Sequence, residues 1–392
     1  MTILNTFFMK PIPYGKHHIT EEDIQAVGEV LRSDFLTQGP QVAAFEKAFA
    51  GYVGARYASA NANGTAALHL AAMAAGLGPG DKIITTPITF VASANCAFFC
   101  GAEADFVDID PKTYLIDLDL VEEKLKKSPK GTYKAIVPVD FAGYPVDAER
   151  LRQLADQYGL TIIEDACHAP GAWFTDSKGE QQWCGNGVYS DLSIFSFHPV
   201  KHIACGEGGM VTTNDKALFD RVMLLRSHGI TKVGEEMEEN HGGWYYEMQE
   251  LSYNYRMTDF QAALGISQLS RADEGLRRRI EIAERYDRAF AGTPIVTPYR
   301  AGDIRHAFHL YVIQVENRLQ LYDFLREKSI FVQVHYIPVH LQPYYRRLGW
   351  KKGDFPRAEA YYERCLSLPM YPALTDGQQD YVIEHVLKFI NG

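Results

Sequence analysis

Lys201 stands out because of what surrounds it. An apolar run, Leu192 to Phe197, leads into His198-Pro199-Val200-Lys201-His202-Ile203-Ala204-Cys205. Glycines follow at Gly206, Gly208 and Gly209, then a second apolar run, Met210 to Thr213. A strand-turn-strand reading puts Lys201 on a connection at a sheet edge, with regular backbone on both sides. Upstream, Asp165 closes another apolar run, and Asn63-Gly64-Thr65 opens an Ala/Leu-rich stretch. A lysine, a strand-end carboxylate and an anion-binding helix N-terminus are the three protein groups that a pyridoxal phosphate (PLP) site needs.

Each of these residues also has a plainer reading. Most lysines are solvated surface charges. A Schiff-base lysine must lose its proton near neutral pH, and burial or nearby positive charge would help. His198 and His202 flank Lys201, and Arg226 lies further along. The freed amine could then carry a proton between the substrate carbon and the cofactor. A carboxylate at Asp165 would keep a pyridine nitrogen protonated. Alternation along a strand points Glu164 and Asp165 to opposite faces, so at most one of them serves a site. His168 could bond the cofactor's phenolic oxygen, pack over its ring, or be an ordinary loop histidine. Phe90 could stack on the ring, although most of the 21 phenylalanines must be core. Ser196 could donate to a phosphate beside Thr65, or be a plain sheet residue. His198, His202 and Cys205 invite a zinc reading, but structural zinc uses cleaner Cys/His pairs, and no metal is expected. Neither a GxxxxGK[ST] loop nor a GxGxxG after the first strand occurs.

The elements that would position these groups alternate. Strands are expected at 57–62, 82–87, 104–108, 135–139 and 160–165. Helices are expected at 21–32, 41–49, 64–77, 89–99, 118–127 and 148–158. Continuous apolar strands between helices indicate a largely parallel sheet covered on both faces. Ligands bind such sheets beyond the carboxyl ends of the strands, and Ile88-Thr89-Phe90, Asp140 and Asp165 all fall there. A helix is expected over 216–228, then an acidic loop, Gly234-Glu235-Glu236-Met237-Glu238-Glu239. One long amphipathic helix is read from Asp259 to Phe290, ended by Gly292-Thr293-Pro294. Residues 1–13 read as an N-terminal arm, 14–292 as a large domain and 293–392 as a small C-terminal α/β domain. In the small domain, strands are expected at 310–315 and 331–336 and helices at 318–328, 357–366 and 376–390.

A chain of 392 residues can bury a core of that size. Its net charge of -10 leaves no basic stripe for nonspecific nucleic-acid binding. Six scattered cysteines without CxxC spacing read as reduced and intracellular, so a cytoplasmic location is expected. No apolar run suits a membrane span or a signal peptide.

Taken together, the motifs resemble those of the DegT/StrS family of sugar-nucleotide aminotransferases over nearly the whole chain. They are Asn63-Gly64-Thr65-Ala66-Ala67-Leu68, Thr85-Thr86-Pro87-Ile88-Thr89-Phe90-Val91-Ala92, Glu164-Asp165-Ala166-Cys167-His168-Ala169 and Phe195-Ser196-Phe197-His198-Pro199-Val200-Lys201 with Gly206-Glu207-Gly208-Gly209. Arg226-Ser227-His228-Gly229 and Asn254-Tyr255-Arg256-Met257 complete the set. The resemblance implies an α/β fold of PLP fold type I, with a mainly parallel seven-stranded sheet in the large domain and PLP or its amine form, PMP, as cofactor. It implies that Lys201 forms the Schiff base and that Asp165 pairs with the pyridine nitrogen. Gly64, Thr65 and Ser196 would hold the phosphate, Phe90 would stack on the ring, and His168 would lie beside it. Asn254 would reach the phosphate of a neighbouring subunit, making a homodimer the catalytic unit. Thr37, Gln38, His335 and Tyr336 are the candidate substrate contacts.

Many members of the family carry Gln where this chain has His168. That histidine, with Val334-His335-Tyr336-Ile337-Pro338-Val339-His340, looks most like the branch acting in pseudaminic acid synthesis. Ala204-Cys205 departs from the Thr-Thr of that branch. The expected reaction moves an amino group from L-glutamate to the C4 ketone of a UDP-4-keto-6-deoxy-N-acetylhexosamine. The alternatives are transfer to another nucleotide ketosugar, a PMP-dependent sugar dehydratase, and a non-catalytic binding protein or regulator on the same fold. The dehydratases commonly replace the lysine with histidine, and here Lys201 is present.

Overall fold

The computed structural model describes residues 11–392, so residues 1–10 of the expected arm lie outside the described residues. A seven-stranded sheet forms the centre. Its strands are β1 (Tyr57–Asn61), β2 (Lys82–Thr85), β3 (Glu103–Phe106), β4 (Ala135–Val137), β5 (Thr161–Asp165), β6 (Leu192–Ser196) and β7 (Gly209–Thr213). The spatial order is β1-β7-β6-β5-β4-β2-β3. Strand β7 runs antiparallel to both β1 and β6, and every other pairing is parallel. The expected mainly parallel sheet is therefore present, and the Lys201 turn joins the carboxyl end of β6 to the start of β7.

Helices cover the sheet because their starts are capped and their apolar faces are continuous. Helix α1 (Glu21–Leu31) opens with a capping box between Thr20 and Asp23. Helix α2 (Pro40–Val53) has no capping side chain of its own. The buried Asp259 carboxylate supplies one from far along the chain, accepting the N–H groups of Gly39 (2.8 Å) and Gln41 (2.9 Å). Helix α3 (Gly64–Ala74) is almost wholly buried, as its Ala/Leu composition requires, and packs on β6 and β7. Helices α4 (Ala92–Phe99), α5 (Leu118–Lys127), α6 (Ala148–Tyr158) and α7 (Lys216–Arg226) follow their sequence patterns, with Asp117, Asp147 and Asp215 as N-caps of the last three.

The single long helix expected from Asp259 to Phe290 is two helices, α8 (Asp259–Leu269) and α9 (Ala272–Phe290). Neither glycine nor proline marks the break. Arg271, between them, is pinned to the Asp23 carboxylate (2.5 and 2.9 Å) and to the His18 carbonyl (2.7 Å). Helix α8 packs on α1 and α2, while Ile282, Ala283, Tyr286 and Phe290 of α9 join a core shared with residues 295–386. One straight rod could not lie along both surfaces. That core draws from both sides of residue 292.

Strands β8 (Tyr311–Gln314) and β9 (Cys365–Leu368) pair antiparallel in the C-terminal region, so the helix expected to run to 366 stops at Arg364. The strand expected at 331–336 shrinks to Ile330–Phe331, which pairs in parallel with Ile12–Pro13. A small sheet of Ile304–Arg305, Trp173–Thr175 and Gln181–Trp183 has no counterpart in the sequence reading. Among the described residues no helix is long and apolar enough to cross a membrane.

Behind the strand ends lies a buried group of Asp140, Glu164 and Cys184, whose polar atoms fall within 4.8 Å of one another. Glu164 is well supplied with donors from Ser193 (2.6 Å), Ser190 (3.1 Å) and the Gly185 N–H (3.1 Å). Asp140 accepts the Val146 N–H (2.9 Å). Burial, and then the Glu164 charge, hold Asp140 well above the usual carboxylate range, which favours its protonated form. Its contribution to stability is complete at low pH and is lost as pH rises through its raised value. Asp140→Asn retains both the acceptor for Val146 and a donor. In urea melts its stability should lie within about 1 kcal/mol of wild type at pH 7 and should overtake wild type as pH rises. A loss above about 2 kcal/mol at pH 7 would mean that Asp140 is charged there.

Candidate active site

The residues singled out by chemistry converge at the carboxyl ends of β5 and β6, around a cavity of about 910 Å³. Gly64, Thr65, Phe90, Asp165, His168, Ser196, Lys201, His335 and Tyr336 all line it. The Lys201 turn is closed at its base by Phe197 N–H to Gly208 O (2.8 Å) and Cys205 N–H to Phe197 O (2.9 Å). Lys201 N–H bonds His198 O (2.8 Å) within it. Gly64 and Gly209 are glycines for a steric reason. A Cβ on Gly64 would lie 2.8 Å from Ser196 Cβ, and one on Gly209 would collide with the Asn63 carbonyl. The start of α3 thus presses against the ends of β6 and β7. Asn63 caps α3 through Ala66 N–H (2.8 Å), which leaves the first-turn N–H groups of Gly64 and Thr65 without intrahelical partners.

Asp165 is 6% exposed. Its Oδ2 accepts the Ser93 hydroxyl at 2.6 Å and its Oδ1 the Cys167 N–H at 3.2 Å. Ser93 also contacts the Thr89 hydroxyl at 2.7 Å. Glu164 faces the other side of the sheet, as strand alternation requires. Desolvation, with a smaller push from Arg279, lowers the Lys201 ammonium below the ordinary lysine value, while Cys167 and Asp165 oppose that shift.

His168 is buried. Its Nδ1 accepts the Ala142 N–H (3.2 Å), which places the proton of the neutral ring on Nε2, 3.3 Å from the Tyr336 hydroxyl. Its ring centroid lies 4.3 Å from that of His309 and 6.2 Å from that of Tyr336. His335 Nδ1 lies 2.8 Å from the Ser367 hydroxyl. Phe90 is 57% exposed and its ring lies 6.3 Å from that of Tyr336.

Three sequence candidates do not line this cavity. Thr37 bridges to Thr258, and Gln38 lines a separate cavity of about 300 Å³ with Arg226 and Arg256. Asn254 is exposed and accepts the Arg256 N–H at 3.3 Å. His198 lines the cavity, whereas His202 turns away and meets the Ala307 carbonyl (2.9 Å). His198, His202 and Cys205 form no ligand group among the described residues. Sequence reasoning missed Tyr14, His69, Ser93, Tyr253, Tyr255 and His309, which also line the wall. Ser93, four residues after Thr89 at a strand end, carried a usable signal. His309 carried none.

These residues fit a PLP-sized group. The cavity ends in a lysine with a depressed ammonium, a buried carboxylate stands at a strand end, and glycine lets a helix start approach Ser196. The chain belongs to the DegT/DnrJ/EryC1/StrS aminotransferase family, whose pattern matches residues 17–387. It is 43% identical over 390 residues to the spore coat polysaccharide biosynthesis protein SpsC of Bacillus subtilis (strain 168), covering 97% of each chain. Among solved structures it resembles the PMP form of the putative sugar aminotransferase Spr1654 from Streptococcus pneumoniae, with a TM-score of 0.89 and 30% identity, covering 97% of this chain and 99% of that one. It also resembles Helicobacter pylori PseC, an aminotransferase involved in the biosynthesis of pseudoaminic acid, with a TM-score of 0.87 and 31% identity over 97% and 100% of the two chains. Spr1654 is also known in a PLP form. The protein is a PLP-dependent aminotransferase of fold type I.

The buried imidazoles predict how the cofactor-free protein responds to acid. Burial, and then Lys201, push His335 down to about 3, and burial with Arg300 pushes His306 to about 3. His168, His202 and His309 are likewise held well below 6.5, chiefly by burial. Folded, these rings stay neutral, but in the unfolded chain they protonate below about 6.5. Their stabilisation is therefore intact above that pH and is lost as pH falls through the range down to about 3. Thermal melts should show the midpoint dropping between pH 6.5 and 5. A flat profile there would contradict neutral burial of the five rings.

Proposed function

We propose that the protein transfers the amino group of L-glutamate to the C4 ketone of a UDP-linked 4-keto-6-deoxy-N-acetylhexosamine, the aminotransferase step of pseudaminic acid synthesis. The observation that carries this reading is the cavity wall made by His168, His335 and Tyr336 beside Lys201, in a chain similar to PseC from end to end. When bound, PLP supplies an electron sink that stabilises negative charge on the substrate carbon. Asp165 would keep the ring nitrogen protonated. Gly64 and Thr65 at the start of α3, with Ser196, would hold the phosphate, and Phe90 would supply an aromatic contact to the ring. His168, with Nδ1 occupied by Ala142, offers Nε2–H toward the Tyr336 hydroxyl and holds that hydroxyl in place. Once freed from the cofactor, the Lys201 amine would take the proton from the donor carbon and, in the second half-reaction, deliver one to the acceptor carbon, so it must be neutral when it takes a proton up.

A second reading is supported by SpsC, whose 43% identity exceeds that of PseC. Under it the acceptor is a different nucleotide ketosugar that feeds a polysaccharide. Retention of Lys201 argues against a PMP-dependent dehydratase.

We also read the catalytic unit as a homodimer, in which Asn254 of each subunit reaches the phosphate in its neighbour. Exposed apolar side chains support a covered face on the same stretch of chain, with Leu251 85% and Trp244 76% exposed. We read residues 14–292 as the large part, carrying Lys201 and Asp165, and residues 293–392 as the small part, carrying His309, His335 and Tyr336. All six cysteines are free thiols, which supports a cytoplasmic setting.

Glutamate should convert the absorbance of the PLP form to that of PMP, and Lys201→Ala should reduce that rate by at least about 10³-fold. Conversion by Lys201→Ala at the wild-type rate would overturn the assignment of the lysine. A panel of nucleotide ketosugars, scored by product mass and release of 2-oxoglutarate, separates the readings. Turnover confined to sugars other than the 4-keto-6-deoxy-N-acetylhexosamine would select the second.

A further inference from the structure

Arg279 is a full cation in a place where charge is costly. It lies on α9 and is 2% exposed. Its Nη1 donates to the carbonyls of Met370 (2.9 Å), Phe308 (3.2 Å) and His309 (3.3 Å), and its Nε has no partner. Among the described residues no carboxylate forms an ion pair with it. Its neighbours differ, since Arg271 pairs with Asp23 and Arg278 with Asp376 and Glu281. A buried cation without a counter-ion destabilises a fold, and an apolar side chain of similar volume would serve packing better.

The position of this charge relates it to the active site. The His309 backbone that accepts from Arg279 carries the imidazole that joins Lys201 in the cavity wall. Arg279, Lys201 and His202 also line a second cavity, of about 400 Å³. We propose that Arg279 is a positioning residue for the reaction, a buried fixed charge that shares the second cavity with Lys201 and favours the amine over the ammonium. This rests on the reading of Lys201 as the Schiff-base lysine.

The groups facing Lys201 make the direction of the effect clear. From the end of β5, Asp165 and Cys167 favour the ammonium. His168, His309 and His335 share the main cavity with it and His202 the second one, and burial holds all four rings below the ordinary imidazole value. They therefore add no fixed charge near pH 7. Desolvation is the largest influence lowering the amine, and Arg279, a smaller one in the same direction, offsets part of the pull of Cys167 and Asp165. The other cations of the second cavity are paired with carboxylates or, like Lys16 and Arg277, exposed to solvent and screened.

The cofactor-free protein tests this directly. Acetic anhydride labelling across pH 6–11, read at the Lys201 peptide by mass spectrometry, reports the midpoint at which the amine becomes nucleophilic. In wild type that midpoint should lie below the one for the exposed Lys126 of the same sample. Arg279→Gln keeps N–H donors for the carbonyls but removes the charge, and should raise the Lys201 midpoint by about one pH unit. Arg279→Lys should stay near wild type. A wild-type midpoint equal to that of Lys126 overturns the proposal, as does an unchanged midpoint in a folded Arg279→Gln protein. Should the glutamine variant fail to fold, Arg279→Lys decides, because a midpoint raised to the ordinary lysine range would then exclude charge as the cause. Borohydride reduction of the PLP-loaded wild type, followed by peptide mapping, checks independently that Lys201 is the residue that captures PLP. Labelling elsewhere would remove the functional reading itself and not only the role of Arg279.

Discussion

The first turn of α3 meets the facing ends of β6 and β7 with no room for a Cβ at Gly64 or Gly209. Everything at the site depends on that approach. It brings unpaired helix N–H groups next to Ser196, five residues before Lys201. It also ties the α3 start to the base of the lysine turn, which is itself closed by hydrogen bonds across Phe197. A substitution at either glycine would push the helix away and open the cradle, whatever happened to the lysine. Overpacking of this kind typically costs about 1–3 kcal/mol.

Electrostatics follow from the same packing. The strand ends, the segment before β8 and the His335-Tyr336 segment form the cavity wall around Lys201. Desolvation then lowers the buried imidazoles and the lysine alike, and Arg279, without a carboxylate partner among the described residues, shares a cavity with the amine. Asp165 keeps its place through Ser93 and the Cys167 N–H. On the reverse side of the sheet, Glu164 is satisfied by Ser190, Ser193 and Gly185. Adjacent residues on one strand thus serve two different structures, one facing the cavity and one anchoring the buried polar group behind it.

Much of this was legible in local pattern. Lys201, Asp165, Gly64, Thr65, Ser196 and Phe90 lie at ends of elements whose apolar runs are unmistakable, and parallel strands must bring such ends to one edge. The break between α8 and α9 was not legible. The amphipathic period runs through Ser270-Arg271, and only the grip of Asp23 on Arg271 shows that the chain turns there. His309 and Arg279 were invisible for a related reason. Their importance lies in what they touch across the chain, and neither residue type nor spacing records that.

Sequence alone determined the alternation of strands and helices, the lysine turn and the family, because each depends on short-range patterning of apolar residues, glycines and caps. Tertiary structure alone decided which histidines face the cavity, that Glu164 turns away from Asp165's cavity toward Asp140, and that Thr37, Gln38 and Asn254 lie outside that cavity. It also placed a guanidinium without a carboxylate partner among the described residues in the wall of a second cavity that Lys201 shares. Burial and electrostatic environment arise only when distant segments pack, and they set the charge state on which the chemistry of Lys201 depends.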